Sequence, residues 1–246
     1  MLRELAHRPW PPPSAPWVMH MRWCDLLFAH WPVPASSLRP FIPEGLELQT
    51  FGCTAWVGVV PFRMEDVRPR LVPPVPGLSA FPELNVRTYV SAGGLDGVWF
   101  FSLEAAQPVA VRLARALFHL PYMDAAMRCA NTGEAIEYSS RRTHKGEGPA
   151  RFEGRYGPGG PVYGSQNGSL EHWLTERYCL YSADAKGRLW RGHIHHAPWP
   201  LQPAWAEIAH NTMTAPLALD LPPTPPLLHF TRSIDVVGWW LEPVRR

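Results

Sequence analysis

The sequence predicts a mainly β (α+β) domain with a few short helices around a sheltered apolar interior. Three observations carry this. The 29 prolines and 12 tryptophans among 246 residues suit a loop-rich, aromatic-packed β protein better than a helical bundle. The apolar fraction of 46% is ample for a core, and a β-rich chain of this length fits one large domain. Strand-length apolar or alternating segments also recur along the chain, divided by Gly, Pro, Asn and Asp turns.

Taken in order, residues 9–16 (PWPPPSAP) read as an extended arm, since proline fixes φ and removes a donor. The arm is assigned to 1–17 and a single domain to 18–246. Met19–Trp31 is an apolar, aromatic-rich strand ending at Pro32, followed by a short helical turn in PASSLRPFIPEGLEL. Leu46–Phe51 and Thr54–Phe62 are strands around the FGCT turn, and residues 68–82 form a proline-rich loop. Glu83–Ser91 and Val98–Glu104 follow as strands. QPVAVRLARALFHL is the clearest helix: Val109, Leu113, Leu117 and Leu120 recur at helical spacing, with Arg112, Arg115 and His119 opposite. Strands resume over Tyr122–Cys129, Glu134–Arg142 and Ala150–Tyr156. A glycine-rich loop then leads to a second helix, capped by Ser169. Tyr178–Ala183 and Gly187–His195 pair as a hairpin across DAKG. A proline-bounded helix near Trp205–His210 and a last strand, Leu228–Leu241, complete the chain.

Charge excludes several partners. With 23 basic and 21 acidic residues the net charge is +2, which gives no footprint for nucleic acid or anionic lipid. No run approaches the 18 or more apolar residues of a membrane span. The start lacks a signal peptide's apolar run, so the expected location is the cytoplasm. Cys24, Cys53, Cys129 and Cys179 form no CxxC pair and are expected as reduced, mostly buried thiols. No cofactor is expected either: YGPGG has neither GxGxxG nor a Walker lysine, and there is no GxSxG elbow. The only lysines are Lys145 and Lys186, in the turn sequences HKGEG and DAKGR.

Two constellations remain. HIHH places His193 and His195 on one strand face and His196 on the other, while Glu207 and His210 have the ExxH spacing of one helical face. Together they could hold a metal, although no spacing there is diagnostic, and polar residues at a strand end and helix surface would look the same. The strand ELNVRTYV is the stronger candidate. Glu83, Asn85, Arg87 and Tyr89 alternate onto one face, and Leu84, Val86, Thr88 and Val90 onto the other. The polar face is either solvated or lines a cavity in which paired Glu83 and Arg87 hold an anionic or carbonyl compound.

The ordered runs WCDLLFAHWPVPASSLRPFIPEGLEL, FPELNVRTYV, VWFFSLEAAQPVAVRLARALFHLPYM, LTERYCLY and IHHAPWPLQPA resemble the acetoacetate decarboxylase superfamily. Within it they are similar to a group of bacterial YqjF-like proteins, over roughly residues 18–240. The resemblance implies an antiparallel β-barrel or cone enclosing an apolar pocket. It also implies that a Schiff-base lysine and its neighbour would stand at Tyr122 and Met123, so both are replaced. A pocket glutamate is matched by Glu83, and a second falls near Gly58 and is lost. The expectation is therefore a small-molecule-binding protein without the imine machinery. As an enzyme on a small carbonyl or carboxylate compound it would use Glu83 as acid or base and Tyr122 as proton donor, with Arg87 and Asn85 as ligand contacts. Two alternatives stay open: a non-catalytic ligand-binding or sensing module, and a metal-dependent enzyme using His193, His195, Glu207 and His210.

Overall fold

A computed structural model describes residues 4–244, so the first three residues of the expected arm and the last two of the expected domain lie outside the described residues. Strands β1 (Met19–Val33), β2 (Glu47–Leu48), β3 (Ala55–Pro69), β4 (Phe81–Ala92) and β5 (Leu95–Ala105) come first, with the one-turn helix α1 (Ala35–Leu38) after β1. Helix α2 (Pro108–Phe118) leads into β6 (Tyr122–Asn131), β7 (Ile136–Arg142) and β8 (Arg151–Pro158). Helix α3 (Leu170–Thr175) precedes β9 (Cys179–Ala183), β10 (Leu189–His195), β11 (Gln202–Asn211), β12 (Leu227–Gly238) and β13 (Glu242–Pro243). The mainly β class holds.

All 13 strands among the described residues join one sheet, and its pairing closes on itself twice. The strands β5–β4–β3–β1–β12 form a common wall. One circuit returns from β12 to β5 through β11, β8, β7 and β6, the other through β10 and β9. Pairing is antiparallel except where β5 meets β6 and β9, which are parallel. A wall shared by two circuits has no solvent face. Accordingly β4 is buried along nearly its whole length, and the solvated-strand reading of ELNVRTYV fails.

Each face of the wall has its own core. On one, Leu84, Val86, Leu27 and Val59 pack with Tyr138, Phe152 and Tyr156 of β7 and β8. On the other, Phe28, Val60, Phe62 and Leu103 pack with Val111, Leu120, Tyr122 and Trp199. Two carboxylate-bearing residues in left-handed backbone bend the wall strands. The register of β1 on β3 slips by one residue between Cys24 and Ala29, where Asp25 has φ 51°, and again where Asp66 has φ 52°. An unpaired extra residue of this kind bends and twists a strand, as closure of a sheet requires.

Several sequence expectations need correction. Trp205–His210 is not helical but lies in β11. Pairing with β8 and β12 buries Ala204, Ala206 and Ile208 against the first core, which overrides local helix preference. Helix α2 exists with Arg112 and Arg115 exposed and Leu120 buried as expected, but the covered stripe is Val111 with Ala110, Ala114 and Phe118, whereas Val109, Leu113 and Leu117 face solvent. The strand expected at Leu46–Phe51 shrinks to two residues, and β3 runs on to Pro69. Of the four free cysteines, Cys24 and Cys179 are buried, Cys129 is half-buried and Cys53 is exposed. The arm residues 4–17 carry no strand or helix, yet Arg8 is buried, with Nη1 donating to the Ile194 carbonyl at 2.8 Å.

Candidate functional site

The site grows from the alternation of β4. Across the ladder, Glu83 stands opposite Phe62, Asn85 opposite Val60 and Arg87 opposite Gly58. Directly opposed residues share a face, so these side chains enter the second core together. On the other side of β4, Asn85 faces Leu103, and Leu103 is paired in parallel with Tyr122. That parallel step, made possible by α2, carries Tyr122 over the glutamate. Its Oη donates to Glu83 Oε2 at 2.8 Å, and both residues are buried.

Burial governs the electrostatics. It pushes the Glu83 carboxyl up to about 8, and the nearby Glu104 charge adds to this, while the Tyr122 hydrogen bond works against it. Tyr122 is raised well above the ordinary phenol range by burial first and by Glu83 second. The carboxyl is therefore mainly protonated at neutral pH, with a pKa close enough to exchange its proton there. This corrects the expected Glu83–Arg87 ion pair. Four residues along a strand separate the two Cα atoms by about 13 Å, and no ion pair joins them.

Arg87 instead lies among rings and carbonyls. Its guanidinium is 5.1 Å from the Phe28 ring and 5.8 Å from the Tyr89 ring, and Nη2 donates to the Leu174 carbonyl of α3 at 3.5 Å. The Tyr89 hydroxyl in turn meets His30 Nε2 at 2.6 Å. His30 is held well below the ordinary imidazole range by burial, then by Arg87 and His229. Gly58 makes room for this group, since a Cβ there would meet the His30 ring at 3.0 Å and Arg87 Cγ at 3.4 Å. Sequence reasoning missed His30. Its only signal was a polar residue placed in an otherwise apolar strand, LLFAHW.

Several buried polar atoms here have no hydrogen-bond partner among the described residues: Asn85 Oδ1, Arg87 Nε, His30 Nδ1, His229 Nδ1, and Nε1 of Trp23 and Trp199. They are linked spatially. His229 is opposite Phe28 across the β1–β12 ladder, Phe28 meets Trp199 edge-on at 4.8 Å, and Trp23 touches both Trp199 and Phe62. An unsatisfied buried polar atom costs about 1–3 kcal/mol. A group of them is uncommon outside places that hold water or a bound polar molecule.

The metal alternative is not supported by position. Glu207 is exposed on β11 and pairs with Arg155, whereas His193 Nε2 meets Glu242 at 3.1 Å and His195 Nδ1 meets Arg8 at 3.2 Å. Among the described residues no three His, Cys, Asp or Glu side chains are grouped to hold a metal ion. A surface cleft of about 480 Å³ lies elsewhere, on β6, β7, β8 and β11, and is lined by Arg128, Glu137, Glu153, Arg155 and Glu207. It contains none of the β4 groups. No helix among the described residues is long and apolar enough to cross a membrane.

The DUF2071 family, described as an uncharacterized conserved protein, matches residues 20–235. The chain belongs to this family. The uncharacterized protein YqjF of Bacillus subtilis (strain 168) is 45% identical over 230 residues, 94% of either chain. Among solved structures, an acetoacetate decarboxylase from Legionella pneumophila aligns with a TM-score of 0.61 at 14% identity, covering 98% of this chain and 93% of that one. The enduracididine biosynthesis enzyme MppR complexed with pyruvate aligns with a TM-score of 0.62 at 11% identity, with the same coverages. An acetoacetate decarboxylase-like enzyme from Sphingomonas wittichii RW1 gives 0.59 at 13% identity, covering 97% of this chain and 98% of that one. The DUF2071 chain therefore has the acetoacetate decarboxylase-like fold.

Proposed function

We propose that this DUF2071 protein binds a small carbonyl or carboxylate compound beside β4 and moves a proton on it without forming an imine. One observation carries the reading: two buried groups, the Glu83 carboxyl and the Tyr122 phenol, share a 2.8 Å hydrogen bond on an interior face. A carboxyl raised to about 8 can give and take a proton near neutral pH, which is what general acid–base catalysis requires. Tyr122 stabilises the carboxylate when the proton leaves. Arg87 is the anchor for an anionic end of the ligand, and Asn85, between them on the same face, is the hydrogen-bonding contact.

An imine route has no sheltered lysine to use. A Schiff-base lysine must be neutral near pH 7, which requires desolvation or a neighbouring cation. Lys145 and Lys186 both sit in exposed turns. Borohydride treatment with a β-keto acid is expected to leave the protein mass unchanged, and a stable adduct on either lysine would overturn this part. We place the protein in the cytoplasm.

The test is proton exchange in D₂O, followed by NMR across small aldehydes, ketones, keto acids and carboxylates, with thermal shift as the binding readout. At least one compound is expected to stabilise the protein and exchange a proton. Glu83→Gln should slow that exchange by about a hundredfold or more. Binding without exchange would select the non-catalytic ligand-binding module. Neither binding nor exchange would sink the site.

A further inference from the structure

A second group of polar atoms, separate from the Glu83–Tyr122 pair, gathers around the Phe28 ring. The Arg87 guanidinium lies 5.1 Å from that ring, the His30 ring stacks on it at 5.8 Å, and Trp199 meets it edge-on at 4.8 Å. Arg87, His30 and Trp199 are 7%, 0% and 2% exposed. Arg87 Nε, His30 Nδ1 and Trp199 Nε1 have no hydrogen-bond partner among the described residues.

All three atoms are donors. An arginine Nε and an indole Nε1 can only donate. For His30 the Tyr89 contact selects the tautomer. Burial keeps the Tyr89 phenol protonated and the His30 ring neutral, and the phenol oxygen lies 2.6 Å from His30 Nε2. The phenol donates to Nε2, because the reverse arrangement would leave its own proton without an acceptor. A neutral imidazole that accepts at Nε2 carries its hydrogen on Nδ1. No carboxylate answers these donors. The contacts of the Arg87 guanidinium are the Leu174 carbonyl and the rings of Phe28 and Tyr89, and the charged groups that act on His30 are Arg87 and His229. A buried cation with unused donors around it calls for an anion that the chain does not supply. One cation and neutral donors match a monoanion, whereas a phosphate dianion would keep unpaired charge.

This group is set apart from the acid–base pair. Arg87 Nη2 reaches Leu174, which packs against Tyr89, two residues further from Glu83 along β4. The charge that acts on Glu83 is that of Glu104, not that of Arg87. Between the two ends, Val60 and Leu103 flank Asn85 and present hydrocarbon. An α- or β-keto acid carries its ketone within one or two bonds of the carboxylate, too close to touch both ends of a face whose Cα atoms lie about 13 Å apart.

We infer that Arg87, His30 and Trp199 form a carboxylate socket, and that the ligand is an acid whose carbonyl stands at least about four bonds from its carboxylate, with hydrocarbon between. The placing of the carbonyl at Glu83 rests on the function proposed above; the socket does not.

Calorimetric titration of the full chain tests this, with hexanoate and the three oxohexanoates that carry the ketone at the second, third or fifth carbon. These isomers share charge and size, so only the ketone position varies. The isomer with the ketone at the fifth carbon is expected to bind about tenfold more tightly than hexanoate, a gain that Glu83→Leu removes, and the other two should gain nothing. Trp199→Phe keeps a ring and removes one donor, and His30→Gln keeps an acceptor for Tyr89 and removes the Nδ1 donor. Each should weaken hexanoate about tenfold, and Arg87→Gln about a hundredfold. Circular dichroism checks each fold, and Trp199→Phe decides the matter if the other two variants misfold. Failure of hexanoate to bind, or equal binding by wild type and the folded variants, would overturn the socket. Tightest binding with the ketone at the second or third carbon would overturn the spacing. Proton exchange in D₂O is read on the same isomers. The expected binding pattern without exchange ends the proton-transfer reading and supports the inference. Exchange on neutral methyl butyl ketone, with no gain in affinity from an acid group, ends the inference alone.

Discussion

At the residue scale, the chemistry of this chain turns on one carboxyl. Glu83 has a folded pKa of about 8 against an ordinary 4.5, chiefly because it is buried. Between those values the folded protein keeps a proton that the unfolded chain has released. Its contribution to stability is therefore complete below pH 4.5 and is lost as pH rises through 8. The slope approaches at most about 1.4 kcal/mol per pH unit. Urea denaturation at several pH values should show wild-type stability falling relative to Glu83→Gln across this window, the other buried titrating groups being common to both. A difference between the two profiles that stays constant across the window would mean that Glu83 is ionised in the fold. The same residue marks a limit of sequence reading. Alternation along ELNVRTYV put Glu83 and Arg87 on one face, but a face is not a contact, and the strand's own rise holds them apart.

At the element scale, the parallel β5–β9 pairing depends on a glycine. A Cβ at Gly97 would lie 2.7 Å from Cys179 Sγ and 2.8 Å from its carbonyl oxygen and from Tyr181. Gly97→Ala must therefore push β9 away from β5, at a cost of about 1–3 kcal/mol or more by overpacking. At Gly148 the nearest atom to a new Cβ is 3.7 Å away, and Gly148→Ala should stay within about 0.5 kcal/mol in the same denaturation experiment. Equal effects at the two positions would show that β9 yields freely. Helix α2 illustrates why element faces were only half legible. Its existence followed from Pro108 in the first turn and the helical spacing of its apolar residues; the Gln107 cap is seen only in the structure. Small residues such as Ala110 and Ala114 are what the core accepted, leaving Leu113 and Leu117 outside, and periodicity alone does not say which stripe is covered.

At the scale of the whole molecule, a buried ion pair joins the common wall to β7. Arg142 Nε donates to Glu104 Oε1 at 2.9 Å, and Ser102 Oγ supports the other oxygen at 3.2 Å. Glu104 is wholly buried and its pKa is raised by burial, with Arg142 opposing the rise. Removing only the cation strands the carboxyl, so Arg142→Ala is expected to cost about 3–5 kcal/mol. Arg142→Met combined with Glu104→Leu should recover most of the loss, since an apolar pair of similar volume carries no desolvation penalty. A double variant no more stable than Arg142→Ala would instead assign the pair a net stabilising role.

The sequence by itself determined the β class, the division of β4 into a polar and an apolar face, the turn settings of both lysines and the DAKG hairpin between β9 and β10. Each of these follows from local geometry: side-chain alternation, proline and glycine backbone limits, or the absence of a residue type. Only the tertiary structure decided that Tyr122 meets Glu83, that Glu83 favours its neutral form, that 205–210 is strand, and which side of α2 is bare. Those depend on what lies opposite in space. The parallel step from β5 to β6, the double closure around the wall and the burial it imposes are set by contacts between residues far apart in the chain, where local periodicity carries no information.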